Sequence, residues 1–309
     1  DGMRAVAMEV SSHALDQHRV AGIGFDVAIL TNLARDHLDY HGAESDYAAA
    51  KRRLFTEHCR GVSVLNRDDR WGARWLAEGA DVIAYGLGDV PVVRAELMRQ
   101  HRDGMQFVLH AGGKAHAVST TLMGRFNLYN LLAAACALRE GGFEWADVAT
   151  VLGEVGPPPG RMERFTAPGA PLAVIDYAHT PNALAAALAA ARDHCDGRLI
   201  LVFGCGGDRD AGKRSLMGEA AAAGADQVIV TTDNPRSEDP DAIAAAVVGA
   251  HDEFAAAIQT ALASAGEGDL VLIAGKGHEN VQWVAGVARP FSDREVVRGW
   301  LAHRPGAQA

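Results

Sequence analysis

The sequence predicts an α/β protein of two domains, the second a Rossmann-like unit built on a mostly parallel sheet. Three observations carry that prediction. At 309 residues the chain is longer than a single hydrophobic core usually serves. Four apolar runs of strand length recur in the second half, each followed by an amphipathic helical block. A stretch holding three consecutive prolines, Pro157 to Pro159, divides the two halves.

The strand-length runs are Leu172–Asp176, Leu199–Phe203, Gln227–Thr231 and Leu270–Ala274. The first helix after them begins at Thr180 and Pro181, a capping hydroxyl followed by proline at the first helical position. Further helical blocks are Lys213–Ala223, Asp241–Val248, Phe254–Ala263 and Arg294–Ala302. Alternation of this kind gives a parallel sheet whose right-handed crossovers bring all the strand C-termini to one edge. In the first half, strands are expected near Ala5–Val10 and Val27–Thr31, with a helix from about Tyr47 to Thr56. After Gly86 the pattern becomes hairpin-like (Met105–His110, Ala115–Thr121), and a helix follows near Leu128–Leu138. Residues Gly153 to Gly160 form the hinge, because three prolines cannot continue a helix. Domains of residues 1–157 and 158–309 result.

Composition excludes several classes. Hydrophobic residues at 49% and charged residues at 22% are ordinary for a globular chain. No apolar run approaches the roughly 20 residues of a membrane span. The net charge of −10 argues against a nucleic-acid partner, which needs clustered Lys and Arg. Cys59, Cys136, Cys195 and Cys205 show no pairing framework and read as reduced thiols of the cytoplasm. Asp1 to Arg4 carry no export signal and no initiator methionine, so a fragment of a longer protein is expected.

Four polar clusters fall just beyond the second-half strands: Asp176–His179, Gly204–Asp210, Asp233–Arg236 and Gly275–Glu279. Each alone would be ordinary turn chemistry. Together at one sheet edge they indicate a ligand site. One pattern misleads: Gly207 to Lys213 matches G-x-x-x-x-G-K between a strand and a helix. Arg214 stands where a hydroxyl must meet Mg²⁺, and Asp208 and Asp210 put negative charge where phosphates would lie, so it is not an ATP cradle. His37 and His41 are spaced like zinc ligands, but Asp36 and Asp39 make the segment oxygen-rich, which favours Mg²⁺ or simply a solvated loop. Glu9 ends an apolar strand, where a carboxylate faces the binding edge. Lys51 sits in a good helix former and by itself reads as a surface lysine.

Motifs along nearly the whole chain resemble the Mur ligase family, in particular its diaminopimelate-adding members. They are Met8–His13, Gln17–Arg19, Thr31–His41, Ala50–Lys51, Gly124–Asn130, Gly160–Glu163, Asp176–Pro181, Phe203–Arg209, Asp233–Arg236 and Gly275–Glu279. Only about Val247 to Phe254 fits poorly and looks short. The resemblance implies a partial central ATPase domain followed by the Rossmann-like domain. It implies an ATP-dependent ligase joining meso-diaminopimelate to UDP-N-acetylmuramoyl-L-alanyl-D-glutamate through an acyl phosphate, in the cytoplasm, as a monomer, for cell-wall synthesis.

By resemblance, Glu9, His37 and Lys51 hold two Mg²⁺ ions, Lys51 as a carbamate. Asn130, Arg161, Asp176 and His179 match contacts to ATP. Ser11, Gln17 and Arg19 match contacts to the UDP-muramoyl dipeptide. Arg209, Asp233, Asn234, Pro235, Arg236, Gly275 and Glu279 match the diaminopimelate pocket. An arginine there can fork onto the distal carboxylate and Glu279 can pair an ammonium. The family's uridine-binding domain and Gly-Lys-Thr phosphate loop precede the segment found here, so this chain alone is expected to be inactive. Two other readings are a non-catalytic module that keeps the acceptor pocket and a folylpolyglutamate- or cyanophycin-type ligase. The Asp233–Arg236 tetrad argues against the latter.

Overall fold

The computed structural model describes residues 2, 4–34, 38–77, 81–89, 92–247 and 254–304. The chain divides into two compact units. One comprises Asp1–Met98, Phe107–Val118 and Phe126–Gly153; the other comprises Arg99–Gln106, Ser119–Arg125 and Glu154–Ala309.

The chain opens with α1 (Ser12–Asp16), β1 (Phe25–Leu30), α2 (Leu38–His41), α3 (Glu44–Arg53) and a π-helical turn (Leu54–His58). Then come β2 (Cys59–Asn66), α4 (Arg70–Leu76), β3 (Val82–Gly86), β4 (Val93–His101), β5 (Gly104–Ala111), β6 (Lys114–Thr120), α5 (Arg125–Glu140) and α6 (Trp145–Glu154). The strands form one sheet in the order β1-β2-β3-β4-β5-β6, parallel from β1 to β4. Leu30, Leu33, Tyr47, Ala48, Leu65 and Trp75 pack into a core beside it. Asp69 caps α4 by accepting from the Trp71 and Gly72 amides, while its other oxygen accepts from Leu33 N at 3.1 Å. One side chain thus starts a helix and pins the segment after β1.

Two first-half expectations change. Residues 5–10 form no strand: residues 4–9 are exposed and only Val10 is buried. Among the described residues β1 is the edge strand and pairs only with β2; this apolar run does not add to its open side. The helix expected from about Tyr47 begins three residues earlier. Glu44 and Asp46 occupy its first turn, where acidic side chains favour the helix N-terminus, and the π turn carries it to His58. The region expected to be short, near 247–254, lies mostly outside the described residues.

The second half runs β7 (Glu163–Phe165), β8 (Leu172–Asp176), α7 (Pro181–Arg192), β9 (Leu199–Phe203), α8 (Lys213–Gly224), β10 (Gln227–Val230) and α9 (Pro240–Val247). It ends with α10 (Phe254–Ser264), β11 (Leu270–Ala274), β12 (Val281–Val284), β13 (Val287–Pro290) and α11 (Asp293–His303). The sheet order is β10-β9-β11-β8-β7, with β7 antiparallel to β8 and the others parallel. Every residue of β9 and β11 is buried, as a parallel strand covered on both faces must be. One apolar cluster lies between the sheet and α7, α8 and α9; another packs α10 and α11 on the opposite face. Ala274 pairs with both Asp176 and Phe203, and Val230 pairs with Phe203. The four parallel strands therefore end level, and their following loops share one edge.

Candidate functional site

In the second unit, two loops at that edge interlock. Gly160 has φ +67°, and a Cβ there would overlap the backbone of Gly277 and His278. Gly277 has φ +57°, and a Cβ on it would lie 2.8 Å from the Gly160 carbonyl oxygen and 2.9 Å from Tyr177 Cβ. Only glycine permits backbone contact this close in the left-handed region. Asp176, at the end of β8, accepts from Met162 N and Ala178 N, both at 2.9 Å. Burial pushes its carboxyl up, and these two bonds oppose the shift. Glu163 accepts from Gly160 N at 2.8 Å and from the Arg294 guanidinium at 2.8 and 3.1 Å. The loop is thus tied to β8 and to α11.

This lacing presents a polar, aromatic face. The Arg161 guanidinium lies 4.6 Å from the Tyr177 ring centroid, and Tyr177 also contacts His179 at 4.7 Å and His278 at 5.2 Å. Arg161, Asp176 and His179 are therefore brought together. Asn130 lies on α5 in the first unit, where its amide donates to Asn127 Oδ1 at 3.0 Å.

Beyond β9, Gly204 leaves a gap that the chain following β10 fills. An added Cβ would strike the Thr231 carbonyl oxygen and lie 2.8 Å from Asp233 N. Asp233 and Asn234 are buried there. The buried Lys276 ammonium approaches Asp233 Oδ1 at 3.3 Å, Asn234 Oδ1 at 3.0 Å and Glu279 Oε2 at 3.5 Å. Asn234 Nδ2 donates to Glu279 Oε2 at 3.1 Å, while its Oδ1 also accepts from Trp283 N at 2.9 Å. Burial pushes the Asp233 carboxyl up, with Lys276 pulling it back.

Arg236 adopts φ +53°, and the β12–β13 hairpin holds it there. Its N donates to Trp283 O at 3.1 Å and its carbonyl accepts from Ala285 N at 2.7 Å. Its guanidinium donates to Gly207 O at 2.6 Å. Arg236 and Arg209 both line a cavity of about 430 Å³ with Asp208, Ser237, Trp283 and Gly286. Arg209 is exposed. The arrangement offers guanidinium groups to an anion, with an acidic cluster close by on the same sheet edge. It can grip a small molecule bearing both charges.

Several donors of the G-x-x-x-x-G-K loop are engaged internally. Asp208 N donates to Glu238 Oε1 at 2.5 Å, Gly207 N to Asn234 O at 2.9 Å and Gly212 N to Asp210 Oδ1 at 2.9 Å. Lys213 Nζ donates to the His179 carbonyl at 2.9 Å. Ser237 bonds both Asp208 oxygens, which holds that carboxyl below its ordinary range. These contacts fasten one loop to the next and occupy donors that a phosphate cradle would use.

In the first unit, Ser11 caps α1, its Oγ accepting from Ala14 N at 3.1 Å. Gln17 Oε1 accepts from Arg19 at 2.5 Å, and Gln17 Nε2 donates to Tyr40 Oη at 3.1 Å, which in turn donates to Asp16 at 2.7 Å. Gln17 therefore aims the exposed Arg19. His13, Tyr40 and His41 pack their rings at 4.2 to 5.5 Å. Lys51 Nζ donates to Val10 O at 3.1 Å, which sets it beside the residue following Glu9. Lys51 is half-buried, not a free surface side chain. Glu9 is exposed and lies on no strand, contrary to expectation. His37 lies outside the described residues. Among the described residues no three His, Cys, Asp or Glu side chains gather as a metal-binding group.

Sequence reasoning missed Tyr177, Glu163, Lys276, Trp283 and Asp293. Lys276, Tyr177 and Glu163 stand inside motifs read for their neighbours, and a lysine between two glycines was the available signal. Trp283 and Asp293 lie outside those motifs.

The chain matches the Mur ligase middle domain over residues 1–138 and the Mur ligase glutamate ligase domain over residues 160–277. It is 48% identical to the UDP-N-acetylmuramoyl-L-alanyl-D-glutamate–2,6-diaminopimelate ligase of Xanthomonas campestris pv. campestris (strain 8004), across 99% of this chain and 65% of that protein. A solved UDP-N-acetylmuramoyl-L-alanyl-D-glutamate–2,6-diaminopimelate ligase superposes with a TM-score of 0.69 at 38% identity, covering 94% of this chain and 63% of that one. The MurF ligase of Thermotoga maritima, solved with ADP, shares the fold, with a TM-score of 0.68 at 18% identity over 87% of this chain and 62% of that one. The chain thus spans a little under two thirds of the length of these relatives. With a middle domain and a glutamate ligase domain in succession, this chain belongs to the Mur ligase family.

Proposed function

We propose that the protein to which these residues belong is an ATP-dependent ligase that adds meso-diaminopimelate to UDP-N-acetylmuramoyl-L-alanyl-D-glutamate in peptidoglycan precursor synthesis. The observation that carries this reading is the cavity of about 430 Å³ bordered by Arg209 and Arg236, on the sheet edge that also bears Asp233, Asn234 and Glu279. Diaminopimelate differs from lysine by a carboxylate on the far carbon, so an enzyme that selects it must reward that charge. Two guanidinium groups can do so, while Glu279 pairs an ammonium. Pro235 and Gly275 shape the backbone around them. The identity to diaminopimelate ligases supports the same choice.

A carboxylate is a poor electrophile at neutral pH. In this reaction its oxygen attacks the terminal phosphorus of ATP, ADP leaves, and the incoming amine then displaces phosphate from the acyl phosphate. Arg161, Asp176 and His179, together with Asn130, are assigned to ATP. The Arg161–Tyr177 stack is suited to flanking a nucleotide, and the Asp176 carboxylate anchors the loop bearing Arg161. Ser11, Gln17 and Arg19 are assigned to the UDP-muramoyl dipeptide, Gln17 holding the guanidinium toward an anionic ligand. Glu9, His37 and Lys51 are assigned to Mg²⁺. The fit rests on the Lys51 amine donating to the Val10 carbonyl, one residue after the exposed Glu9. Carbamylation would turn that cation into an oxygen anion, and Mg²⁺ prefers oxygen ligands. Bound there, the ion would neutralise charge on the transferring phosphoryl group. We place the protein in the cytoplasm as a monomer; no described helix is long and apolar enough to cross a membrane.

The 309 residues hold no second G-x-x-x-x-G-K sequence, and the one present is internally engaged. These residues by themselves are therefore proposed to bind the acceptor amino acid without turning over ATP. Calorimetric titration of this chain with meso-diaminopimelate and with lysine tests the reading. Losing a buried charged partner costs roughly 2–5 kcal/mol. Arg236→Ala should accordingly weaken diaminopimelate about thirtyfold or more and leave lysine nearly unchanged. Equal losses for both amino acids, or none, would mean that Arg236 does not read the distal carboxylate.

A further inference from the structure

Between the two loops that supply the acceptor pocket lies an ionic cluster centred on a buried residue to which no substrate contact is assigned. Its centre is Lys276, with no solvent exposure. The ammonium sits within 3.5 Å of Asp233, Asn234 and Glu279, and the Phe291 ring centroid lies 5.8 Å away. Asp293, at the start of α11, is also fully buried; among the described residues neither of its oxygens completes a hydrogen bond, although the Gly277 amide faces the carboxyl and draws its pKa down. Burial pushes its carboxyl up to about 7, with Lys276 drawing it down and Asp233 and Glu279 adding to the rise. One cation thus serves three carboxylates, of which Asp233 and Asp293 are buried and Glu279 is partly exposed.

The contacts divide by loop. Asp233 and Asn234 follow β10; Glu279 and Lys276 itself follow β11, and β9 lies between these strands. The Asn234 amide is oriented without ambiguity. Its oxygen faces two donors, Lys276 Nζ and Trp283 N, and its nitrogen faces the Glu279 carboxylate. Without the ammonium, Asp233 and Glu279 would repel each other and Asn234 Oδ1 would lose one of its two donors. Lysine fits this position because it offers three donors from one point, whereas a guanidinium is a planar fork.

We propose that Lys276 is the positioning residue of the acceptor pocket, a buried ammonium that locks the Asp233–Arg236 loop to the Gly275–Glu279 loop and sets the orientation of Asn234 and Glu279. It touches no substrate. Asp293, buried at the start of α11 and within the field of the ammonium, is its distal counter-group. The proposal rests on the pocket reading given above, but its geometric half can be checked without any ligand.

The test uses Lys276→Met, which keeps length and removes charge, and Lys276→Met/Asp293→Asn, which also removes the Asp293 carboxylate. The double variant should recover stability lost in the single one, and neither should regain pocket order. Two readouts are followed in the 309-residue chain: the Asn234 side-chain amide resonances, and calorimetric affinity for meso-diaminopimelate, with Arg236→Ala as the control for the pocket itself. Expected are displaced, faster-exchanging Asn234 amide signals and at least tenfold weaker diaminopimelate binding in the folded double variant. Unchanged amide signals with unchanged affinity overturn the proposal. If the wild-type chain binds no diaminopimelate, the pocket reading fails, and the amide signals alone decide the positioning role. If neither variant folds, the wild-type Lys276 side-chain signal decides. A slowly exchanging ammonium with through-bond coupling to its acceptors supports the lock, and a rapidly exchanging one overturns it.

Discussion

Substituting alanine at Gly160 should do more damage than any local reading of a loop glycine suggests, and the size can be worked out. A side chain in the left-handed region costs roughly 1–2 kcal/mol. The added Cβ would also overlap Gly277 C and His278 N and lie 2.7 Å from Gly277 Cα. All of these are backbone atoms, which cannot swing aside, and overpacking of that kind costs about 1–3 kcal/mol. Together the loss is about 2–5 kcal/mol. Two glycines of the same unit separate the causes. Gly286 has φ +76° with nothing within 4 Å of an added Cβ, so Gly286→Ala should cost only the backbone part, about 1–2 kcal/mol. Gly299 lies within α11 with open space around it, so Gly299→Ala should stabilise by about 0.5–1 kcal/mol. Hydrogen exchange of the β8 and β11 amides reports the second unit alone. Every 1.4 kcal/mol is a tenfold change, so Gly160→Ala should lower protection about thirtyfold or more. If Gly160→Ala proves no worse than Gly286→Ala, the close loop contact is not rigid and the reasoning fails.

Two further outcomes are expected. His194 is buried and neutral, its Nε2 accepting from Gly124 N at 3.1 Å and its Nδ1 bonding His101 O at 2.6 Å; burial holds its pKa below the usual 6.5. The unfolded chain therefore takes up the proton first, and the His194 contribution falls as pH drops below about 6.5, by at most about 1.4 kcal/mol per pH unit. Asp293, held up to about 7, works in the opposite direction over the same window. The measurement is thus the difference in urea stability between wild type and His194→Gln from pH 7.5 to 5.5; a difference that does not shrink toward low pH refutes the assignment. For Lys51, alanine substitution in the full-length enzyme should remove nearly all turnover while leaving the fold intact, and a small added carboxylic acid should restore part of it. Near-normal turnover would return Lys51 to a supporting contact with Val10.

Legibility of the fold followed burial. Strands β8, β9 and β11 coincide with the expected runs to the residue, because a doubly covered parallel strand must be apolar throughout. β10 stops at Val230, one residue short, and Thr231 begins the turn toward Asp233. β2 escaped notice because Arg60, Gly61 and Ser63 break its apolar character, and its register is set by β1 and β3. The β12–β13 hairpin turns on Ala285 and Gly286, both at positive φ, without the Asn or Asp that usually marks such a turn. Residues 5–10 show the converse: an apolar run is not a strand without a partner. At the site, clusters of adjacent residues were legible, and single pins were not. Glu163 and Arg294 are 131 positions apart, and Lys276 and Asn234 are 42 apart. Local pattern holds no trace of such pairs.

The loop after β11 faces two ways. Gly277 presses on Gly160 and Tyr177, while Lys276, one residue earlier, grips Asp233 and Asn234. Five residues thus act as a common wall between the nucleotide-assigned face and the amino-acid-assigned face. A wall shared by two rooms cannot be moved to enlarge one alone. Changes of acceptor preference should therefore be sought in Arg209, Arg236 and the hairpin bearing Trp283, which border one side only. Altering Gly275–Glu279 would disturb both faces together. Any attempt to graft this pocket onto another sheet would have to carry Gly160–Glu163 and the first turn of α11 along with it.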